Sequence, residues 1–386
     1  MTHDRTAMVI GAGPAGLATA IALRRAGFGV EVRERAAEPR PGNGLTLWPN
    51  GLRALDAIGA GAAVRAGAMP APGTSMRSKA GRSLYEVSGP VMDTIGGRGV
   101  GMHRKDLLEA LTGVLGERPI FGVRCVGART EAGRAVADFA DGTEARADLV
   151  VGADGIRSSV RDGIGLAEPL RYAGFTVWRA TIEFELPPFP GVLSMGGPSQ
   201  FGIWRLPAGR VYWFASAPAV EGARESRPPA FFENWHAPIP ELLAATGSEE
   251  ITATDIYDSE PLRAWSAASV VLAGDAAHPS MPNMGQGTSQ AFEDAAVLAD
   301  CLGGGAGIES ALAEYERRRR RRARAAWSQA RMLARIGGWR NPLACLLREK
   351  LMSFAPERAQ LARLERLFTF PPGPENDHRR PGDSYG

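Results

Sequence analysis

Apolar residues in this chain fall into two patterns: short continuous runs, and longer stretches with helical spacing. Ala7-Met8-Val9-Ile10 is a run of the kind that fills a buried parallel strand, and a helix follows over Leu17 to Ala26, with Gly27 placed to stop it. Gly29 to Glu34 reads as the second strand. Ala145 to Val151, after an Asp141-Gly142 hairpin turn, and Ser269 to Ala273 read as two more. Arg104 opens a helix with apolar positions 107, 108, 111, 114 and 115, and a stripe at 291, 292, 295, 298, 299 and 302 predicts another over roughly 288–302. Phe175 to Ile182, Phe201 to Leu206 and Val211 to Ala215 read as aromatic strands, either ordinary core or the wall of an apolar pocket. Glu309 to Arg335 is helical in composition. Together these elements predict an α/β protein: a Rossmann-like parallel-sheet domain, an interleaved β-sheet domain and C-terminal helices.

Three glycine-containing segments follow three of the predicted strands. In Gly11-Ala12-Gly13-Pro14-Ala15-Gly16, Gly11 permits a tight turn, Gly13 lets the backbone approach a pyrophosphate, and Gly16 lets the helix pack close to the sheet. The helix N-terminus supplies amides and a dipole for phosphate. Glu34, 23 residues after Gly11, stands near the spacing at which a carboxylate accepts a ribose hydroxyl. This unit alone binds NAD as readily as FAD. The second segment is Gly152-Ala153-Asp154-Gly155; the third, Ala273-Gly274-Asp275-Ala276-Ala277-His278, leads to Gly285 and Gly287 at another helix start. Asp154 is either a site residue or a turn residue, whereas Asp275, between a buried strand and two alanines, needs a partner. The set describes a chain wrapping one large dinucleotide from several sides, and points to a flavoenzyme.

With 386 residues, 44% of them hydrophobic, the chain has room for two domains or one nucleotide domain with a large insertion. A net charge of +3 gives no reason to expect a nucleic-acid partner. Cys125, Cys301 and Cys345 are scattered and no metal spacing occurs, so no metal is expected. The start runs almost directly into a strand and no 18-residue apolar run is present, so no membrane span and a cytoplasmic location are expected. The Arg317 to Arg322 run reads either as an anionic-ligand patch or as a helix with arginines around its cylinder. In the second reading Leu312, Tyr315, Ala323, Trp327, Ala330 and Leu333 face the core and the arginine stems snorkel.

The three segments, in this order and joined by Leu47-Trp48-Pro49-Asn50-Gly51 and His103-Arg104-Lys105-Asp106-Leu107-Leu108, resemble the single-component FAD-dependent monooxygenases of the para-hydroxybenzoate hydroxylase-like group. The resemblance covers about Met8 to Leu333 and is closest to the urate hydroxylase and zeaxanthin epoxidase branch. It implies that Gly11, Gly13, Ala15 and Gly16 hold the FAD pyrophosphate, with Glu34 and Arg35 at the adenosine ribose. It further implies Thr46 at the flavin, Arg104 on the ribityl-phosphate side, and Cys125 meeting adenine through its backbone amide. Asp154 would lie near the approach of the nicotinamide donor and Asp275 at the ribityl chain, while Gly285, Gln286, Gly287, Thr288 and Ser289 would set amides against the isoalloxazine ring. Tyr212 matches a substrate-side tyrosine of the urate branch, but that branch's urate-contacting arginine has no counterpart near Gly202, and Arg205 has no evident direction.

The implied activity is insertion of one oxygen atom from O2 into a small aromatic or polyunsaturated molecule, through a flavin C4a-hydroperoxide, with NADH or NADPH as a transient donor. An FAD-dependent reductase and a redox-silent flavoprotein catalysing cyclisation or isomerisation are the alternatives. No catalytic base is assigned; His236 and His278 read as structural. The expected organisation is a discontinuous FAD-binding domain (1–70, 97–168 and 260–302), a substrate-binding domain (71–96 and 169–259), a helical region (303–370) and a disordered tail (371–386), acting as a monomer or dimer.

Overall fold

The structure is a computed structural model that describes residues 4–370 apart from Pro41, Arg224 and Ala355; the tail at 371–386 lies outside the described residues. Six strands form the first sheet, in the order Ser266–Ala267, Val270–Leu272, Leu149–Gly152, Arg5–Ile10, Phe28–Glu34 and Ile120–Phe121. All neighbours are parallel except the first pair. The central strands are apolar runs with Val9, Val150 and Val271 fully buried, as expected when helices cover both faces. Register decides where function can sit. Ile10 pairs with Gly152 and Gly152 with Leu272, so the three glycine segments leave the sheet side by side at one edge. Ligands of open α/β sheets bind there, at the carboxyl ends of the strands.

The single strand expected over Ala145 to Val151 is two. Glu144–Ala147 belongs to a three-stranded antiparallel sheet and Leu149–Gly152 to the parallel one. Asp148 makes the break: its Oδ2 accepts hydrogen bonds from the Thr6 amide (2.7 Å) and hydroxyl (2.8 Å), pinning the chain where it changes sheets.

A seven-stranded sheet takes its strands from 73–88 and 171–258, in the order Thr252–Asp258, Arg171–Glu183, Arg210–Pro218, Ser199–Arg205, Gly191–Gly196, Gly73–Ser78 and Ser83–Ser88. Its aromatic residues split by the two-residue strand period. Trp178, Phe201 and Trp213 face Phe232, Trp235 and Leu242 and form a separate core. Phe175, Trp204, Tyr212 and Phe214 face the opposite way, into a cleft against the parallel-sheet unit. Core and pocket wall are both correct readings, at alternate residues.

The C-terminal region is helical: Ile308–Gly337, Pro342–Phe354 and Glu357–Phe368. In the first of these Leu312, Tyr315, Ala323 and Ala330 are buried, and half-buried Trp327 donates its Nε1–H to the Ser259 carbonyl at 2.9 Å. The snorkelling expectation fails at Arg319, which is fully buried. Arg319 lies four residues from both Tyr315 and Ala323, on the same stripe, so the helical period carries it into the core with them. The other arginines of the run stay nearer the surface, where Arg317 pairs with Glu314, Arg318 with Asp300, Arg320 with Glu316 and Arg322 with Glu293.

Candidate active site

A cleft of about 1260 Å³ runs from the first glycine segment to the open face of the seven-stranded sheet. The three glycines of the first segment do different work. A Cβ on Gly11 (φ +106°) would sit 2.4 Å from the Ala153 carbonyl oxygen, and one on Gly16 would sit 1.8 Å from the Gly11 oxygen. Both positions are therefore closed by backbone, and Gly16 does not line the cleft. Gly13 faces nothing nearer than Arg104 Nη2 at 3.7 Å, so its bare backbone opens on the cleft beside the start of the Pro14–Arg25 helix. Ala15, Arg35 and Thr46 also line it. Glu34 accepts the Ala12 and Ala36 amides, each at 2.9 Å, one on each oxygen. A carboxylate has about four acceptor sites, so capacity remains for hydroxyls.

Further along, Arg104 lies between two acids. Burial lowers its pKa, while Glu34 and Asp275 act against that loss. Asp275 lines the cleft. Burial raises its carboxyl pKa, opposed by His278 and Arg104. A Cβ on Gly287 would lie 3.9 Å from Asp275 Oδ1, which sets this acid beside the start of the 17-residue Gly287–Gly303 helix. Gly285 (φ +59°), Gly287 and Thr288 line the cleft there; Gln286 and Ser289 do not. The Gln286 Oε1 accepts from Asn50, and the buried Ser289 hydroxyl accepts the Trp48 amide. Both side chains thus turn toward the Trp48 and Asn50 segment rather than the cleft.

Asp154 combines both sequence readings. Its Oδ2 accepts the Ser159 amide (2.8 Å), the Ser159 hydroxyl (3.1 Å) and the Val160 amide (3.3 Å), which is a turn-capping role. Its Oδ1 is buried with no partner, as are Trp48 Nε1 and Asn283 Oδ1, and all three residues line the cleft. Buried polar atoms are nearly always paired, so orphans gathered along one cleft mark where a polar ligand belongs. With the glycine cradle and two helix N-termini, the residues present fit a flavin dinucleotide. Cys125 adds no thiol chemistry: burial pushes its pKa to about 11, and its Sγ–H donates to the Gly127 carbonyl.

Behind the cleft lies a buried ionic network absent from the sequence reading. The Asp294 Oδ2 accepts the Gly274 amide at 2.9 Å and meets His278 Nε2 at 2.5 Å, while its Oδ1 accepts Arg319 Nε–H at 2.7 Å. Arg319 also pairs with Glu293, which accepts from Arg322 (2.5 Å) and from Asn50 (2.7 Å). Asn50 in turn donates to Gln286. Burial alone would raise the Asp294 pKa, but His278 and Arg319 hold it down to about 2. Both cofactor-side turns, at Gly274-Asp275 and at Gly285 to Gly287, are thus tied to one ion cluster. A legible signal existed: Glu293-Asp294 interrupts an apolar helical stripe, and buried charges require partners.

At the sheet end Tyr212 stands with Trp204 and Phe214, whose rings stack at 5.6 Å. Gly202 lies beneath them; a Cβ there would be 2.3 Å from Phe214 and 2.4 Å from Trp204, so rings fill the space over it. Arg205 follows Phe201 and Ile203 onto the other face of its strand and does not line the cleft. A different arginine does. Arg179 lines the cleft near enough to Tyr212 to act on its hydroxyl, and among the described residues it has no carboxylate within ion-pair distance. Burial raises the Tyr212 hydroxyl pKa, with Arg179 pulling against it. His236 bonds the Ser194 hydroxyl (2.7 Å) and the Ala237 carbonyl (2.7 Å) away from the cleft.

Comparison with known proteins agrees with this geometry. The family described as "FAD binding domain" matches residues 4–330. The chain is similar to aurachin C monooxygenase/isomerase of Stigmatella aurantiaca, at 37% identity across 96% of this chain and 100% of the relative. It is also similar to FAD-dependent urate hydroxylase of Klebsiella pneumoniae, at 31% identity across 82% and 86%. Among solved structures, Klebsiella pneumoniae HpxO complexed with FAD and uric acid superposes with a TM-score of 0.88 at 26% identity, covering 95% of this chain and 97% of that one.

Proposed function

Because this chain belongs to the FAD binding domain family and is an FAD-dependent monooxygenase, we propose that it oxygenates an aromatic ring held against Tyr212, Arg179, Trp204 and Phe214. The observation that carries the reading is the continuity of the cleft. One cavity joins the dinucleotide cradle to an aromatic face that also bears an arginine with no carboxylate partner among the described residues.

When bound, FAD supplies the redox chemistry by which electrons from NADH or NADPH and one O2 yield an oxygenated product and water. The chain's residues do the rest. Gly13 and the helix starts at Pro14 and Gly287 are proposed to receive the pyrophosphate and the electron-poor ring, with Glu34 and Arg35 on ribose, Arg104 and Asp275 along the ribityl-phosphate stretch, and Thr46 and Asp154 flanking. The stacked rings of Trp204 and Phe214 exclude water over the reacting carbon. Hydroxylation of an electron-rich ring is favoured when a ring oxygen carries negative charge. The Arg179 guanidinium, with the Tyr212 hydroxyl beside it, can stabilise that charge through short charge-assisted hydrogen bonds. The carboxylates that line the cleft, Glu34, Glu38, Asp154 and Asp275, all belong to the dinucleotide side. The substrate proton therefore leaves to solvent, and the arginine stands in place of a general base.

The expected domain division belongs to the same reading, supported by a seven-stranded sheet drawn only from 73–88 and 171–258. No described helix is long and apolar enough to cross a membrane; a cytoplasmic monomer or dimer is proposed. The test is the visible spectrum of the purified protein, then NAD(P)H oxidation in air with a panel of phenols and hydroxylated heteroaromatics. One compound should accelerate oxidation and gain a single oxygen atom. The Stigmatella relative's name includes an isomerase, so products of unchanged mass belong in the same analysis. A flavoprotein that no donor reduces would overturn the proposal.

A further inference from the structure

The cleft does not end at the aromatic rings. It continues between the open face of the sheet and the C-terminal helices, where Met76, Leu193, Met195, Ile336, Met352 and Leu364 line it. Among the described residues the charged side chain lining this outer part is Arg348. The guanidinium is buried and donates to the carbonyls of Ile336 (3.0 Å), Gly337 (3.1 Å) and Gly197 (3.1 Å), fastening the Pro342–Phe354 helix to the end of the preceding helix and to the hairpin turn between strands Gly191–Gly196 and Ser199–Arg205. Gly337 marks the tightest approach: a Cβ there would lie 2.9 Å from Gln200 Nε2. Ile336, Met352 and Leu364 lie beyond residue 330, where the match to the family ends, and Met76, Leu193 and Met195 lie within it.

We propose that this outer chamber holds an aliphatic or isoprenoid tail, so that the preferred substrate is an aromatic ring carrying a long apolar side chain rather than a small polar ring. The methionine, leucine and isoleucine side chains offer such a tail the removal of its surface from water, while Gln200, Gln329 and Gln360 line the same cleft as its polar residues. Met76, Met195 and Met352 are unbranched and adaptable, which suits a flexible chain more than a rigid ring. The inference rests on the proposed placement of the ring at Tyr212 and Arg179.

The test is calorimetric binding of 4-methyl-, 4-propyl-, 4-pentyl- and 4-heptylphenol to the FAD-loaded enzyme without a nicotinamide donor, so no turnover is required. Affinity is expected to tighten about fourfold per methylene, about four-thousandfold over the six methylenes of the series. In Met352→Trp and Leu193→Trp, two independent ways of filling the chamber, the gain with length should collapse; a variant that loses its flavin spectrum leaves the other to carry the comparison. Affinity independent of length, the same length dependence in a flavin-loaded variant, or no binding at any length would overturn the proposal. Tail-dependent binding without oxygenation of any ring would instead count against the catalytic reading and leave the chamber standing.

Discussion

Arg319→Met tests the buried network most directly, because the same six-residue run supplies its controls. The substitution keeps much of the side-chain volume and removes hydrogen bonds to Asp294 Oδ1 (2.7 Å), Glu293, the Gln290 carbonyl (3.1 Å) and Gln290 Oε1 (2.9 Å). Breaking a buried ion pair by deleting one partner costs about 3–5 kcal/mol, because the remaining charge loses compensation. Here each carboxylate keeps a second cation, Asp294 with His278 and Glu293 with Arg322, so the lower end, about 3 kcal/mol, is expected. That is a large share of the roughly 5–15 kcal/mol that holds a folded domain. Arg321, exposed in the same run, should change stability by no more than about 0.5 kcal/mol when replaced by Met. The assay is denaturant unfolding of both variants and the parent protein at one fixed FAD concentration, since FAD itself stabilises by mass action. The network also has a pH signature. The Asp294 pKa is depressed to about 2, so its stabilising contribution is complete above the ordinary carboxylate range and is lost as pH falls through about 2; the deficit from this acid should be flat between pH 5 and 8. Equal stability of the Arg319→Met and Arg321→Met proteins would refute the reasoning.

Other outcomes follow from the same geometry. Gly13→Ala should leave apoprotein stability nearly intact while weakening FAD binding, whereas Gly16→Ala, with its Cβ 1.8 Å from a backbone oxygen, should destabilise the apoprotein itself; thermal unfolding with FAD titration separates the two. Arg179→Met should lower kcat/KM by about 10–100-fold, the loss of a charge-assisted hydrogen bond of about 1.5–3 kcal/mol, with the flavin spectrum retained; an unchanged kcat/KM would remove Arg179 from the site. Because burial pushes the Cys125 thiol to about 11, its alkylation by iodoacetamide should remain slow at pH 8 and accelerate only toward pH 11; rapid labelling at pH 8, located by mass spectrometry, would contradict the buried placement.

Local chain chemistry determined much of this protein before any fold was drawn. Positive φ, close backbone approach and a phosphate-facing helix start are requirements of a few consecutive residues, so Gly11, Gly13 and Gly16 announce a dinucleotide cradle by type and spacing. Buried parallel strands advertise themselves as apolar runs, and the α/β class follows from their alternation with helices. Tertiary structure decided what depends on faces and on distant partners. The Ala145 to Val151 run reads as one strand until Thr6, far away in sequence, takes hold of Asp148 and splits it. Gln286 and Ser289 sit in a site-like segment, yet the packing of the Pro49–Ala57 helix turns their side chains from the cleft. Of six adjacent arginines only Arg319 is buried, because the rotation of its helix against Gly287–Gly303 brings it onto Glu293 and Asp294. Arg179 belongs to an aromatic strand whose alternation is legible, but which face meets the dinucleotide is set by the packing of two sheets. A residue's type and its near neighbours lie in the sequence; the direction in which its side chain finally points is a property of the packed whole.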